Sequence, residues 1–537
     1  MCIISIQVDY IYTQVESMAS YVRCKARNGR VYVYENRSYW DKEEKKTKHI
    51  RTCIGHEDPE TGEIVPNRKK GDATRQRGQQ ADYEGCTDMS CGNTLVLDHC
   101  ARQLGLLESL QSVFPEDWAA ILTCAYFLVC SGRALSYVAY WTADHTSPYG
   151  RVLTSQAVSE LLDRIDAGRQ LEFFRAWNAV CIQDTYYAMD VTSISSYSRA
   201  RNMVEFGYNR DKEKDLPQVN LLMVLGANSG YPIFYRVLPG SLTDVVSLRD
   251  TVDAFGLLQL RRIHYCMDKG FYSADNIDKF YDTHSRFVIG VPFSVNRACE
   301  AVETHRNTIR NVRNLLTVGN DQVYTATEAQ KWNGHRFYLH IYFNSAEAED
   351  TLRSFHMRLQ HYRSELESGA ADLGAISGYA RYFSVKETPK RGRRVSYNDK
   401  AIEEFEQNRA GWFCLGTNDL KSAAETLTVY RIRDRVEKAF DDLKNEMDMK
   451  RLRVHTDTRA SGRIFVQFIA LILQTYFRSA LLEAKWMPGK TTREATKSLD
   501  SIRVITRPGK RKALYTALTK TQRELLAVFG IIFPPCV

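Results

Sequence analysis

The chain has 537 residues, 44% of them hydrophobic and 26% charged, the proportions of an ordinary soluble globular protein. These figures exclude a disordered chain, a collagen-like repeat and a coiled-coil rod, and at about 150 residues per domain they leave room for three to four domains. Seventy-three lysines and arginines against 64 acids give a net charge of +9 and a pI near 8.8, which favours a polyanionic partner.

Thirteen cysteines, an odd number without dense spacing, point to an intracellular chain. The tightest group, Cys86, Cys91, His99 and Cys100, lacks the paired spacing of a structural zinc site and reads as buried or free thiols. The opening MCIISIQVDYIY has neither a basic n-region nor a small-residue cleavage site, so no export signal is expected and the location is cytoplasmic. The most apolar later stretch, 464–482, carries Gln467, Gln474 and Arg478, which predicts a buried helix and not a membrane span.

Residues 1–92 begin with two alternating runs around Asn28-Gly29, which predict a β-hairpin. Met18 is a candidate start, and the charged, glycine-rich stretch 66–80 reads as a linker. From 93 to 180 apolar residues recur every three or four positions, predicting a helical domain. One of its helices, capped at Thr154 and continuing through Ser155 and Gln156, suits either the groove-reading helix of a helix-turn-helix or plain packing. Residues 181–293 then change to short β-type runs: three antiparallel strands, followed by a strand–helix–strand unit whose helix is capped by Ser273. An RNase H-like core has that order. Residues 294–425 are mixed, and 426–482 and 483–537 read as helical.

Asp190 and Asp268 each follow an apolar strand-like run, YYAMD and IHYCMD, and are predicted at strand ends. Such an acid serves either as a turn residue or, next to a second one, as a cation ligand, because paired carboxylates repel unless a positive charge lies between them. Segment 429–447 predicts one helix, with Val429, Ile432, Val436, Phe440, Leu443 and Met447 on an apolar arc. Counting about 100° per residue from Tyr430, Arg433 falls near 300°, Lys444 near 320° and Glu437 near 340°. These four form one polar stripe, which is either a solvated face or the wall of a site.

The spacing Y-x2-R-x3-E-x6-K, here Tyr430, Arg433, Glu437 and Lys444, resembles the Y-R-E-K signature of DDE transposases from bacterial insertion sequences. The segments DVTSISSY, MDKGFYSADN and VEKAFDDLKNEMDMKRLRVHTDTRASGRIFVQFIALIL are similar to those carrying that group's acids, over about residues 90–480. The resemblance implies an α/β fold: an RNase H-like catalytic core with a β-rich insertion at 294–425 and a helical N-terminal DNA-binding region at 93–180. It implies that Asp190, Asp268 and Glu437 are catalytic and hold two Mg2+ ions, with Mn2+ a possible substitute. By the same resemblance Tyr430, Arg433 and Lys444 hold DNA phosphates. Asp190 and Asp268 stand 78 residues apart, and Asp268 and Glu437 stand 169 apart, which leaves room for the insertion.

The implied activity is metal-dependent cleavage of double-stranded DNA at transposon ends and strand transfer into target DNA, by a homodimer in a synaptic complex. Some relatives pass through a DNA hairpin, and some hold a flipped base on an aromatic side chain; Trp332 and Trp412 lie in the insertion, where packing is the alternative. The runs Lys390, Arg391, Arg393, Arg394 and Arg507, Lys510, Arg511, Lys512 either track DNA backbone or are merely solvated, and the last helical segment is a candidate for dimer contacts. The alternative readings are a metal-dependent nuclease that cuts without joining, a DNA-binding derivative without catalysis, and an unrelated phosphate-ester hydrolase.

Overall fold

The computed structural model describes residues 20–533 apart from 27–28, 42–45, 60, 67–84, 182–184, 198–202, 212, 214, 243–247, 249–262, 320, 390–391, 454–455 and 510–511. It has two compact units, one holding Met1–Cys86 and Arg507–Arg511, the other Thr87–Thr506 and Lys512–Val537. In the first unit, β1 (Ser20–Lys25), β2 (Val31–Asp41), β3 (Lys46–Glu57) and β4 (Ile64–Pro66) form an antiparallel sheet. The expected hairpin joins β1 to β2: Ala26 donates to Arg30, and Gly29 takes the left-handed φ of 80° that such turns require. Asn28, Met18 and most of the 66–80 linker lie outside the described residues.

The second unit opens with β5 (Thr87–Ser90) and a helical layer: α1 (Gly92–Gln103), α2 (Leu106–Val113), α3 (Trp118–Ser131), α4 (Val138–Asp144), α5 (Ser155–Arg164) and α6 (Ala167–Val180). Gly105, left-handed at φ 67°, separates α1 from α2. Cys91 and Cys100 are buried here, and burial pushes the Cys91 thiol up to about 11. The Thr154 hydroxyl caps α5 by accepting from the Ala157 N–H, and α5 buries Val158, Leu161 and Leu162.

A large mixed sheet follows. Its strands are β6 (Tyr186–Ser196), β7 (Gln218–Gly226), β8 (Pro232–Pro239), β9 (His264–Met267), β10 (Arg286–Val291), β11 (Leu315–Val318), β12 (Asp321–Trp332), β13 (His335–Phe343) and β16 (Trp412–Thr417). The order is β11-β12-β13-β16-β10-β9-β6-β7-β8. β6, β7 and β8 are antiparallel neighbours; β6, β9 and β10 are parallel, with α7 (Ala274–Asp282) crossing between β9 and β10. Residues 294–425 do not build a sheet apart. Four of their strands prolong the main sheet through the antiparallel pairing of β10 with β16, while α8 (Asn296–His305) packs on β13. Only the hairpin of β14 (Phe383–Thr388) and β15 (Gly392–Tyr397) pairs separately, and with α9 (Ser345–Ser368) and α10 (Asp399–Asn408) it closes a small core around Phe355, Leu359 and Tyr382.

After 425 the chain is not helical throughout. α11 (Ala423–Tyr430) and α12 (Arg433–Asp441) lead through a π turn at Asp442–Glu446 to β17 (Arg451–Leu452), which pairs with the end of β6. α13 (Asp457–Glu483) then runs between the helical layer and the sheet, packing on α1, α3, α5 and β8. Among the described residues it is the one helix long and apolar enough to cross a membrane, and it is buried in the core. The polar residues that interrupt its apolar run all have work inside: Gln467 donates to the Met447 carbonyl, Gln474 to Thr492, and Arg478 to the buried carboxylate of Asp442. Gln467 and Arg478 thereby tether the turn that follows α12. α14 (Thr492–Asp500), β18 (Arg503–Thr506), β19 (Leu514–Tyr515) and α15 (Lys520–Val528) complete the unit, with β18 pairing with β5. α15 buries Leu525 and Leu526, and Phe529 beyond it stacks on Phe477.

Candidate active site

β6 and β9 lie side by side, in register through Met189 and Met267. The next residue on each is an acid, Asp190 on β6 and Asp268 after β9. The expectation that both stand at strand ends holds for Asp268 alone. β6 continues to Ser196, where β17 takes up the pairing, so the sheet opens because β9 stops and not because β6 does. Between the two pairings, the edge of β6 beyond Asp190 faces the region where α12 packs.

The stripe helix is also different from its expectation. The chain between α11 and α12 tightens at Arg431 and Ile432, where Ile432, Asp434 and Arg435 donate to carbonyls three residues back. Tertiary anchors impose this break: the buried Cys266 thiol of β9 donates to the Val429 carbonyl at 3.4 Å, and Arg431 reaches the Val318 carbonyl at 2.6 Å. Downstream, the π turn adds a residue and shifts the helical phase. Lys444 lies in this turn, and its ammonium donates to both Asp211 carboxylate oxygens, at 2.7 and 2.9 Å.

Tyr430, Arg433 and Glu437 do come together with the acids. The Tyr430 hydroxyl donates to Asp268 Oδ1 at 3.1 Å. Arg433 Nη1 lies 2.9 Å from the same oxygen, and Arg433 Nη2 lies 2.9 Å from Glu437 Oε1. Burial pushes the Tyr430 phenol well above its usual range, so it is a neutral donor. Burial works against the charge of Arg433, but Tyr430, Asp268, Glu437 and Asp190 outweigh it and the guanidinium stays ionised. Among the described residues no three carboxylate, imidazole or thiol groups converge into a ready-made cation cage. The guanidinium stands among the acids instead.

Asp190 is strongly perturbed. Burial, reinforced by the facing Asp268 carboxylate, pushes it up to about 6, while the Val191 N–H, Arg210 and Arg433 pull the other way. Its Oδ1 accepts from the Val191 N–H at 2.8 Å. Asp190 and Asp268 offer carboxylate oxygens, the chemistry that suits a hard divalent cation such as Mg2+. A strained acid pair on adjacent strands is relieved by positive charge, so the residues fit such an ion.

A cleft of about 720 Å3 opens beside Asp268, lined by Lys269, Gly290, Phe293, Trp412, Tyr430 and Arg433. Trp412 is buried, and its Nε1 has no hydrogen-bond partner. Trp332 is elsewhere and engaged: its Nε1 donates to Asp278 at 2.6 Å, and the Arg297 guanidinium lies 4.9 Å from its ring. Gly290 fixes the width of the cleft. A Cβ there would lie 2.8 Å from the Lys269 nitrogen and 3.1 Å from the Tyr430 hydroxyl. Gly290→Ala is therefore expected to cost about 1–3 kcal/mol of stability and to dislodge Tyr430 from Asp268, seen as a lowered melting temperature together with weaker activity.

Of the basic runs, Lys390, Arg391, Lys510 and Arg511 lie outside the described residues. Arg393 is engaged with Asp372 at 2.8 Å and with the Ala371 carbonyl at 3.0 Å. The residues that pattern reading missed are Arg210, Lys269 and Gly290. Nothing in the local sequence brings Arg210 to Asp190; a buried network does, in which Ser193, Asn209, Gln218 and Asn220 fasten the β6–β7 connection.

Residues 183–473 match the family model described as a transposase DDE domain. Among solved structures, the chain is similar to a piggyBac transposase synaptic complex with hairpin DNA, at 10% identity and a TM-score of 0.32, over 75% of this chain and 70% of that one. No curated protein matches it.

Proposed function

The chain belongs to the transposase DDE-domain family, and from that premise we propose that it cuts DNA at the ends of a mobile element and joins those ends to target DNA. The observation that carries this reading is the meeting of Asp190 and Asp268 on adjacent parallel strands, with Glu437 tied to Asp268 through Arg433. The order β8-β7-β6-β9-β10, three antiparallel strands followed by a parallel strand–helix–strand unit, supports an RNase H-like core, and Tyr430, Arg433 and Glu437 in one site support the Y-R-E-K subgroup of bacterial insertion sequences.

Asp190, Asp268 and Glu437 would hold the divalent cations. Such ions supply Lewis acidity that activates water or a 3′-hydroxyl and stabilises the departing oxygen. The protein's own groups do the positioning. Arg433 offers a planar, charged fork suited to a phosphate, and Tyr430 offers a neutral donor next to it. Trp412 borders the cleft at Asp268 but is buried against Phe343, which favours packing over base stacking. The partners are double-stranded element ends and target DNA, engaged by a homodimer in the cytoplasm.

Lys444 grips a phosphate only by exchanging Asp211 for it. Lys444→Ala is then expected to lower stability by leaving Asp211 unpaired, and to flatten the salt slope of DNA binding by about one unit. An unchanged slope, read by titration at several salt concentrations, would confine Lys444 to holding Asp211.

Joining separates the transposase from a nuclease of the same fold. Element ends with free 3′-hydroxyls, incubated with supercoiled plasmid and Mg2+, are expected to become covalently attached to it. Cutting of intact ends without any such product would support the nuclease.

A further inference from the structure

Asp190 and Asp268 stand on adjacent strands beside one opening, Glu437 is joined to Asp268 through Arg433, and positive charge is needed among them. In the DNA-free chain that charge is Arg433, whose two Nη atoms each lie 2.9 Å from a different acid, Asp268 and Glu437. Asp268 Oδ1 is doubly engaged, since Tyr430 donates to it as well. These are the oxygens that divalent ions would require. The arrangement and free access for ions are therefore mutually exclusive.

We propose that Arg433 is a built-in counter-cation that closes the acid cluster until DNA arrives. This rests on the assignment of Asp190, Asp268 and Glu437 as the cation-holding acids. Two features let the guanidinium leave. Its Nε is buried with no hydrogen-bond partner, so its set of donors is incompletely used where it sits. The cleft of about 720 Å3 beside it also gives the side chain somewhere to move. A DNA phosphate offers the same bidentate, charged acceptor that Asp268 and Glu437 jointly provide, so Arg433 transfers from the carboxylates to the phosphate. The acids then lose their internal cation and take up divalent ions. Cation loading is thus coupled to the presence of substrate, and the free protein is held back from hydrolysing DNA it has not gripped. Arg433 is a positioning residue in this account: it acts by setting when the acids are open.

The measurement is Mn2+ binding to the full-length protein without DNA, followed by electron paramagnetic resonance of the free ion, for wild type, Arg433→Gln, Arg433→Lys, Asp190→Asn and Glu437→Gln. Melting curves check that each variant is folded. Arg433→Gln is expected to bind Mn2+ at least about tenfold more tightly than wild type, because a charge within about 3 Å of two ligand carboxylates has gone. Arg433→Lys, which keeps the charge but cannot bridge both acids, is expected between them. Short duplex DNA at low salt is expected to tighten Mn2+ binding by wild type and to leave Arg433→Gln unchanged. If Asp190→Asn and Glu437→Gln weaken Mn2+ binding while Arg433→Gln binds no better than wild type, the counter-cation role is overturned and the acid assignment stands. If Asp190→Asn and Glu437→Gln bind Mn2+ as wild type does, the acid assignment itself has failed.

Discussion

Glu437→Gln is expected to abolish DNA cleavage while leaving DNA binding nearly intact. The substitution keeps the size and shape of the side chain and removes one negative charge. Arg433 retains its contact with Asp268 and loses only the partner one helical turn ahead, so the fold around α12 has little reason to change. Cation binding is different, because a neutral amide oxygen is a far poorer ligand than a carboxylate. Metal assistance in phosphodiester chemistry contributes several kcal/mol to the transition state, which corresponds to a loss of about a thousandfold or more in rate. Phosphate contacts from basic residues govern affinity and persist. A single-turnover cleavage assay beside a binding titration reads both quantities, and Asp190→Ala and Asp268→Ala are expected to give the same split. Glu437→Gln cutting at the wild-type rate would remove Glu437 from the triad.

The second large effect concerns stability. Asp190 is held at about 6 in the folded chain against an ordinary value of 3.8, chiefly through burial. The folded state therefore keeps the proton more tightly than the unfolded state does. Below pH 4 both states are protonated and the group contributes nothing. As pH rises from about 4 to 6, the unfolded chain ionises first and the folded chain is progressively disfavoured. Above about 6 the loss is constant at roughly 3 kcal/mol, from a shift of about two units at 1.36 kcal/mol each. Asp190→Asn cannot ionise and escapes that loss. In chelator it is expected to be more stable than wild type at pH 8, by up to about 3 kcal/mol, with the difference vanishing near pH 4. Mg2+ added together with short duplex DNA, which draws Arg433 from the acids, is expected to stabilise wild type at pH 8 more than the variant, since the ion favours the ionised carboxylate. Urea melts at the two pH values, with and without Mg2+ and DNA, check each part. An asparagine variant less stable than wild type at pH 8 in chelator would contradict the account.

The pairing of chemistry with sequence was clearest where it depended on short-range pattern. The run YYAMD followed by a second apolar run ending in Asp268 placed two acids beside a sheet opening, because strand alternation and turn residues are local. The stripe Tyr430, Arg433, Glu437 was legible through helical period, and it gathers at Asp268 although the helix is broken inside it. The pairing of Lys444 with Asp211 lay outside what helical period can show. Cys266 and Val318 anchor the chain near Tyr430, and α13 tethers the segment after α12 through Gln467 and Arg478, so phase is not carried across. The continuity of residues 294–425 with the main sheet was likewise invisible, since it rests on β16 pairing with β10 across more than a hundred residues. Arg210 and Gly290 belong to the same class: one is brought in by a buried polar network, the other matters only through the atoms that crowd it.

We propose that Asp190, Asp268 and Glu437 form a cation-dependent cutting site for DNA. The most direct test is cleavage of a labelled duplex bearing the element end and its flank, with wild type and Asp190→Ala compared in Mg2+ and in chelator. The account predicts cuts at the element end by wild type in Mg2+ alone, leaving a 3′-hydroxyl, and none by the variant. Cleavage by wild type that persists in chelator, or cleavage by Asp190→Ala at the wild-type rate, would contradict it.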